Sequence, residues 1–379
     1  MEEQILLDIA ARTGTPAYVY DENTIRKKFG ELKKVFSSFD PEIHYAMKAN
    51  ENPEILKIIK DLGGGIDAVS PNEISRALEA GFAPHEIIFT PSFPNEEEID
   101  YAVKKGVNIH AGDTYVLDYF FKKYPGYSLG LRLNPENTIG GNQKIATAHA
   151  GSKFGIPLSE LPYIRDLINK GLHVNTLHIH TGSDVNNWKD LARSVDILFE
   201  IAGFFPELEK LDLGSGFKIK YSGESPGIDL QAYADYISSK LSPCTKELKI
   251  IFEPGKYLLS EAGYFLMRVN GIKQGYNKIF AGVNSGFHHF IRPMYYGAYH
   301  EILNLSNPGG KIKTYDVVGQ LCEEDTFAYD RKLPEIRKGD ILAVKNAGAY
   351  AYSMSSRYNL RDKPKEFLWK NGDLHNIDI

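Results

Sequence analysis

The chain has 379 residues, of which 42% are hydrophobic and 25% charged, with a net charge of -5. Such a length exceeds one ordinary compact core and points to two domains, and the slightly acidic balance gives no electrostatic reason for a nucleic-acid partner. No run approaches the roughly 18 uncharged apolar residues of a membrane span, the start Met1-Glu2-Glu3-Gln4 has no basic secretory region, and two cysteines cannot frame a disulfide scaffold. Neither a zinc spacing nor a calcium loop is present, so the expectation is a cytoplasmic protein without a metal site.

From about residue 25 to 256, short β-prone runs alternate with amphipathic stretches. Strands are expected near Ile43–Met47, Ile66–Val69, Ile87–Thr90, Val107–His110, Ser128–Leu133, Val174–His180, Lys210–Leu213 and Lys249–Glu253. Helical patterns lie between them, among them Pro53 to Asp61, Pro71 to Ala80, Glu96 to Lys105, Leu158 to Lys170 and Trp188 to Phe204. Alternation of this kind implies a parallel sheet with crossover helices, and eight units in roughly 230 residues fit a closed (β/α)8 barrel better than an open doubly wound sheet. No GxGxxG follows the first strand, which argues against the open sheet. Residues 257–379 change character: Tyr264–Asn270, Lys278–Val283, Lys311–Val318 and Ile341–Lys345 read as strands separated by Gly, Pro and Asn turns. They form a β-rich second domain, joined by the N-terminal residues 1–24.

Polar residues gather at the carboxyl ends of the expected barrel strands: Lys48, Asp67, Ser70, Thr90, His110, Arg132, His180, Ser183, Gly214-Ser215-Gly216 and Glu253. This is the end where such barrels build their sites. A lysine at a strand mouth is either a solvated loop residue or, when partly buried, an amine suited to imine chemistry. Gly-Ser-Gly after the seventh strand is a turn or a backbone cradle for an anion. Together with Glu253-Pro254-Gly255-Lys256 after the eighth strand and Ser183, it makes a phosphate site. A lysine facing a phosphate site suggests pyridoxal 5'-phosphate. Glu253 is then either a barrel-end ion-pair partner or the carboxylate that keeps the pyridine nitrogen protonated, and His180 is a packed core histidine or a platform stacked on the ring.

Taken together, these residues resemble the group IV pyridoxal-phosphate decarboxylases of the alanine-racemase-like fold, and among them the diaminopimelate branch. The resemblance runs from about Thr15-Pro16 to Trp369. It rests on Tyr45-Ala46-Met47-Lys48-Ala49-Asn50, Ser152-Lys153-Phe154-Gly155, Glu253-Pro254-Gly255, Ile291-Arg292-Pro293 with Tyr296-Gly297-Ala298-Tyr299-His300, Cys322-Glu323, and Ala347-Gly348-Ala349-Tyr350 leading to Ser353-Met354-Ser355-Ser356-Arg357-Tyr358-Asn359. The resemblance implies that Lys48 holds the cofactor through an imine, that Cys322 protonates the substrate carbon, and that Cys322 comes from the other subunit of a homodimer. It further implies that Arg292 pairs with a distal carboxylate through its fork, with Glu323 and Tyr350 holding the distal amine and the cofactor side and Tyr296 framing the pocket. A distal centre bearing both groups describes meso-2,6-diaminopimelate, which yields L-lysine and carbon dioxide.

This sequence departs from the pattern in several places. Lys256 stands where the family usually has an arginine that helps bind the distal carboxylate and the phosphate, and Gly-Ser-Gly replaces a triple glycine. The Cys322-Glu323-Glu324-Asp325 loop is one residue shorter, residues 137–150 are a shortened segment, and Thr181 replaces an aliphatic residue. The alternative is therefore a sister decarboxylase acting on ornithine, lysine, arginine or a conjugated amino acid. A racemase of this fold would set an arginine, not Glu253, against the ring nitrogen, and a non-catalytic relative would not keep Lys48, Cys322 and Tyr350 together.

Overall fold

A computed structural model describes residues 1–136, 151–221 and 227–379; the shortened segment 137–150 lies outside them. The chain divides into two compact units, one of Lys28–Ile219 continuing through Tyr257, the other of Met1–Lys27, Lys220 and Tyr221, and Leu258–Ile379. The return of Lys220 and Tyr221 to the second unit is an excursion that the strand–helix pattern does not signal.

Strand β1 (Ala17–Asp21) belongs to the second unit. The first unit is built from β2 (Glu42–Ala46), β3 (Gly65–Ala68), β4 (Ile87–Phe89), β5 (Asn108–Ala111), β6 (Ser128–Asn134), the short β7 (Ile156–Pro157), β8 (His173–His178), β9 (Lys210–Asp212) and β10 (Lys249–Phe252). Pairing runs β2-β3-β4-β5-β6-β8-β9-β10, every pair parallel, and β10 closes on β2 through Phe252 opposite Ile43. This is the closed eight-stranded parallel barrel expected, with β7 attached to the end of β6.

Several strands hand over to their helices at a capping residue. Asn52 accepts the Glu54 N–H at 3.1 Å and Pro53 opens helix Pro53–Asp61; Ser70 accepts the Glu73 N–H at 3.2 Å ahead of Pro71. Asn95 and Glu98 form a reciprocal capping box. Short polar side chains satisfy helix N–H groups that have no partner in the first turn, and proline there gives up no bond. Ser70, counted among the polar residues at the strand ends, is thus spent on a helix start.

Behind the β9 and β10 ends, Phe36, Phe217, Tyr233 and Phe252 form a fully buried aromatic cluster, with Phe36 and Phe252 ring centres 4.4 Å apart and Phe217 and Phe252 5.7 Å apart. Each such ring contributes about 1.5–3 kcal/mol through burial. Phe217 follows Gly216 and Phe252 precedes Glu253, so the cluster pins the two loops from outside the barrel.

In the second unit, β1 is buried along its whole length. It pairs antiparallel with β11 (Gly263–Gln274) and parallel with β17 (Lys365–Lys370). The sheet extends from β11 through β12 (Ile279–Val283), β14 (Ile312–Val318) and β15 (Thr326–Pro334); β13 (Ile302–Asn304) and β16 (Ile341–Val344) branch from β11, and β18 (Asp373–Asn376) borders β17. Helix Glu3–Thr13 sets Leu6, Ile9 and Ala10 against Val19, Leu266 and Ala343. The N-terminal residues are therefore a structural part of the β-rich unit. A short helix, Arg292–Tyr296, interrupts a region in which the sequence shows none.

Candidate active site

Strand register fixes which side chains meet inside the barrel. Ala46 is opposite Asp67, Arg132 opposite His178, and His178 opposite Asp212. Paired residues of parallel neighbours project to the same side, so Arg132, His178 and Asp212 form one level of the interior. Beyond the end of β2, Lys48 sits on a single 3-10 turn, Met47–Ala49. Its Nζ lies 2.8 Å from Asp67 Oδ2; the lysine side chain is 43% exposed and the aspartate 2%. The amine is therefore at the mouth and its counter-ion beneath it. Gly255 makes this approach feasible: a Cβ there would lie 3.1 Å from the Cβ atoms of both Ala46 and Ala49.

Glu253 lies deeper, with Oε2 3.3 Å from His178 Nε2. Burial holds His178 far below the usual imidazole range and takes His110 and His180 to about 3, with neighbouring Arg132 or His178 adding to the effect. All three imidazoles are neutral at neutral pH. His110 fits because Gly130 faces it across the β5–β6 pair; a Cβ on Gly130 would fall 2.2 Å from the ring.

Loops after β8, β9 and β10 interlock. Ser215 donates its hydroxyl proton to the Glu253 carbonyl at 2.9 Å, and the Val185 N–H donates to the Gly216 carbonyl at 2.9 Å. Gly214 and Gly216 have φ of +56° and +86°, and Cβ atoms there would meet His180 Nδ1 at 2.5 Å and the Gly182 carbonyl oxygen at 2.1 Å. Such left-handed, close-packed positions admit only glycine. Ser183 lies in the same β8 loop, half-buried. Lys256 is 8% exposed and pairs with Asp184 Oδ2 at 2.7 Å, an acidic neighbour that the sequence reading does not pick out.

The remaining expected site residues, Arg292, Tyr296, Cys322, Glu323 and Tyr350, all belong to the β-rich unit. Arg292, 4% exposed, donates from Nε to His300 Nε2 at 3.2 Å and from a terminal nitrogen to the Tyr221 hydroxyl at 3.1 Å, and its guanidinium lies 5.7 Å from the Tyr296 ring centre. Cys322 is exposed, and its N–H donates to Asn359 Oδ1 at 3.4 Å. Glu323 accepts the Tyr358 hydroxyl at 2.8 Å. Tyr350 adopts φ +54°. Asp325 organises the loop: its carboxylate accepts the N–H groups of Phe287 at 2.6 Å and Leu321 at 3.1 Å.

His178 and Asp212 are absent from the residues singled out in the sequence, where the one signal for them is their spacing. His178 precedes His180 by two positions and Asp212 precedes Gly214 by two, the spacing that keeps strand side chains on one face.

Residues 22–260 match the family model of the pyridoxal-dependent decarboxylase pyridoxal binding domain. The chain is 38% identical to the diaminopimelate decarboxylase of Methanothermobacter thermautotrophicus, across 97% of this chain and 90% of that protein. It is 32% identical to the diaminopimelate decarboxylase of Escherichia coli K12, across 98% and 93%. The crystal structure of diaminopimelate decarboxylase from Helicobacter pylori complexed with L-lysine matches with a TM-score of 0.91 at 30% identity, covering 98% of this chain and 96% of that one.

The donor set of the barrel fits pyridoxal phosphate. It offers a lysine amine at the mouth, a buried carboxylate below it, and a glycine cradle that side chains would fill. The fit rests on that cradle: Gly214 and Gly216, at φ +56° and +86°, carry no side chains and let backbone N–H groups come close to an anion.

Proposed function

Because the chain belongs to the pyridoxal-dependent decarboxylases, and within them to the diaminopimelate decarboxylases, we propose that it removes one carboxylate of meso-2,6-diaminopimelate, releasing carbon dioxide and L-lysine. The observation that carries this reading is a likeness to diaminopimelate decarboxylases that spans both units of the chain, 97% of its length at 38% identity.

When bound, pyridoxal phosphate supplies an electron sink for the charge left as the carboxylate departs. The residues of this chain do the rest. Lys48 Nζ would hold the cofactor covalently, and Asp67 keeps that amine at the mouth. Glu253 would keep the pyridine nitrogen protonated, and neutral His180 would lie against the ring. Ser183, Gly214, Ser215, Gly216, Gly255 and Lys256 would enclose the phosphate, with backbone N–H groups supplying most of the contacts. Arg292 would take the distal carboxylate, Glu323 and Tyr350 the distal amine and the cofactor side, and Tyr296 one wall. Lys256, paired with Asp184, would add positive charge on the phosphate side.

Cys322 Sγ would deliver a proton to the carbon that has lost its carboxylate. Its exposure suits service to a second copy of the chain, and we infer a homodimer in which the partner subunit's Cys322 completes each barrel site. No helix among the described residues is long and apolar enough to cross a membrane, and a biosynthetic role in the cytoplasm fits the reading.

The test is direct. Purified protein with added pyridoxal phosphate and meso-diaminopimelate should release carbon dioxide and L-lysine in equal amounts. Absence of L-lysine in the presence of bound cofactor would overturn the assignment.

A further inference from the structure

Four buried side chains converge beneath the cofactor site. His110, His178, Asp212 and Glu253 each place one polar atom within 4.8 Å of the others, and Asp212 is 0% and Glu253 6% exposed. Asp212 Oδ1 is accounted for, since it accepts the Gly214 N–H at 2.9 Å. Asp212 Oδ2 is not: among the described residues no N–H or O–H group reaches it, and the same holds for Glu253 Oε1. His110 Nδ1, at 3.9 Å from Oδ2, is too distant for a hydrogen bond. Two buried carboxyl groups stand side by side, and each has an oxygen without a donor.

We propose that Asp212 is a neutral carboxylic acid whose proton is donated to Glu253, making it a positioning residue that holds Glu253 as the carboxylate of the cofactor site. Two unprotonated carboxylates side by side in the buried barrel interior would repel, whereas a proton on Asp212 turns that repulsion into a hydrogen bond. The charge inventory agrees. The groups facing Asp212 are His110 on β5, His178 on β8, Glu253 after β10, Asp67 on β3 and Arg132 on β6, with Lys48 and His180 at the mouth. The histidines are neutral and Lys48 is paired with Asp67, so an ionised Asp212 would set a second carboxylate beside Glu253 against Arg132. Burial, and then Glu253 beside it, push Asp212 well above the usual carboxylate range. Through Oδ1 the same carboxyl fixes Gly214, so one residue couples the anion cradle to the carboxylate under the ring.

The inference rests on the cofactor assignment and not on the substrate. Its test compares wild type with Asp212→Asn and Asp212→Ala. Asparagine keeps an N–H donor towards Glu253 and an oxygen for Gly214; alanine keeps neither. The dissociation constant for pyridoxal phosphate should rise about tenfold or more in Asp212→Ala, and Asp212→Asn should restore it to within about threefold of wild type. A second arm uses protein stripped of cofactor. The unfolded chain releases the Asp212 proton above pH ~4 while the folded chain keeps it, so rising pH favours unfolding of the wild type alone. Its unfolding constant, relative to that of Asp212→Asn, should increase with pH above ~5, by about tenfold per pH unit until the folded-state carboxyl itself ionises. An Asn variant that binds cofactor as poorly as the Ala variant, or that fails to fold, overturns the proposal. So does a stability gap that does not change with pH. Wild-type protein that does not bind the cofactor at all would instead refute the cofactor reading and leave the second arm standing.

Discussion

Lys48 Nζ and Asp67 Oδ2 are 2.8 Å apart although the two side chains come from different depths, one at the barrel mouth and one in its wall. Register produces the contact, because Ala46 pairs with Asp67 and the chain then turns at once into the 3-10 turn that carries Lys48. The pair fixes where the amine points before any ligand arrives. Replacing Lys48 with Ala should abolish turnover and the visible colour of covalently held pyridoxal phosphate while leaving a folded protein. Absorption spectra of the purified variant, with circular dichroism as the folding control, check this; retained colour would remove Lys48 from the role.

Gly216 should not tolerate a side chain. At φ +86°, with the Gly182 carbonyl oxygen 2.1 Å from a built Cβ, alanine meets backbone that cannot rotate away. Gly216→Ala should cost about 2–3 kcal/mol of stability and weaken cofactor binding more than it weakens folding. Chemical denaturation and a cofactor titration measure the two effects separately.

Cys322 makes no packing contribution that an alanine would lose, since it lies exposed on its loop. Cys322→Ala should keep the cofactor colour and the melting temperature yet lower kcat by about a hundredfold or more, the usual scale for a missing proton donor. Unchanged kcat would remove the thiol from the reaction.

His110 should make the protein sensitive to acid. Burial, then His178, hold its imidazole to about 3, with Glu253 and Arg132 also nearby. The unfolded chain charges this histidine below pH ~6.5 while the folded chain does not, so the stability present above that pH is lost as the pH falls. The unfolding free energy of the wild type, relative to that of His110→Gln, should drop by about 2 kcal/mol between pH ~6.5 and ~5. Urea denaturation at the two pH values provides the comparison.

Much of this architecture is written locally. The eight barrel strands follow from β-prone runs at regular spacing, and helix Pro53–Asp61 and helix Glu96–Lys105 begin and end where their caps and charges place them. Lys48, Glu253 and the Gly214–Gly216 turn are legible because chemistry-bearing residues stand at strand ends. What escaped the sequence depends on register and closure. Asp212 and His178 look like ordinary strand residues until β8 and β9 are paired. Asp184 becomes a neighbour of Lys256, and Tyr221 of Arg292, only once distant loops are brought together. The central position of β1 is likewise invisible locally, because its partners β11 and β17 come from far along the chain.

Lys256 is where this sequence departs most from the pattern of the family, and the departure bears on the identity of the amine substrate. The most direct measurement is kcat/KM for carbon dioxide release from meso-diaminopimelate, ornithine, arginine and L-lysine, with pyridoxal phosphate saturating. Meso-diaminopimelate should be preferred by about a hundredfold or more, the discrimination expected of a charged site whose distal partner is missing from the other substrates. A higher value for ornithine, arginine or L-lysine would contradict it.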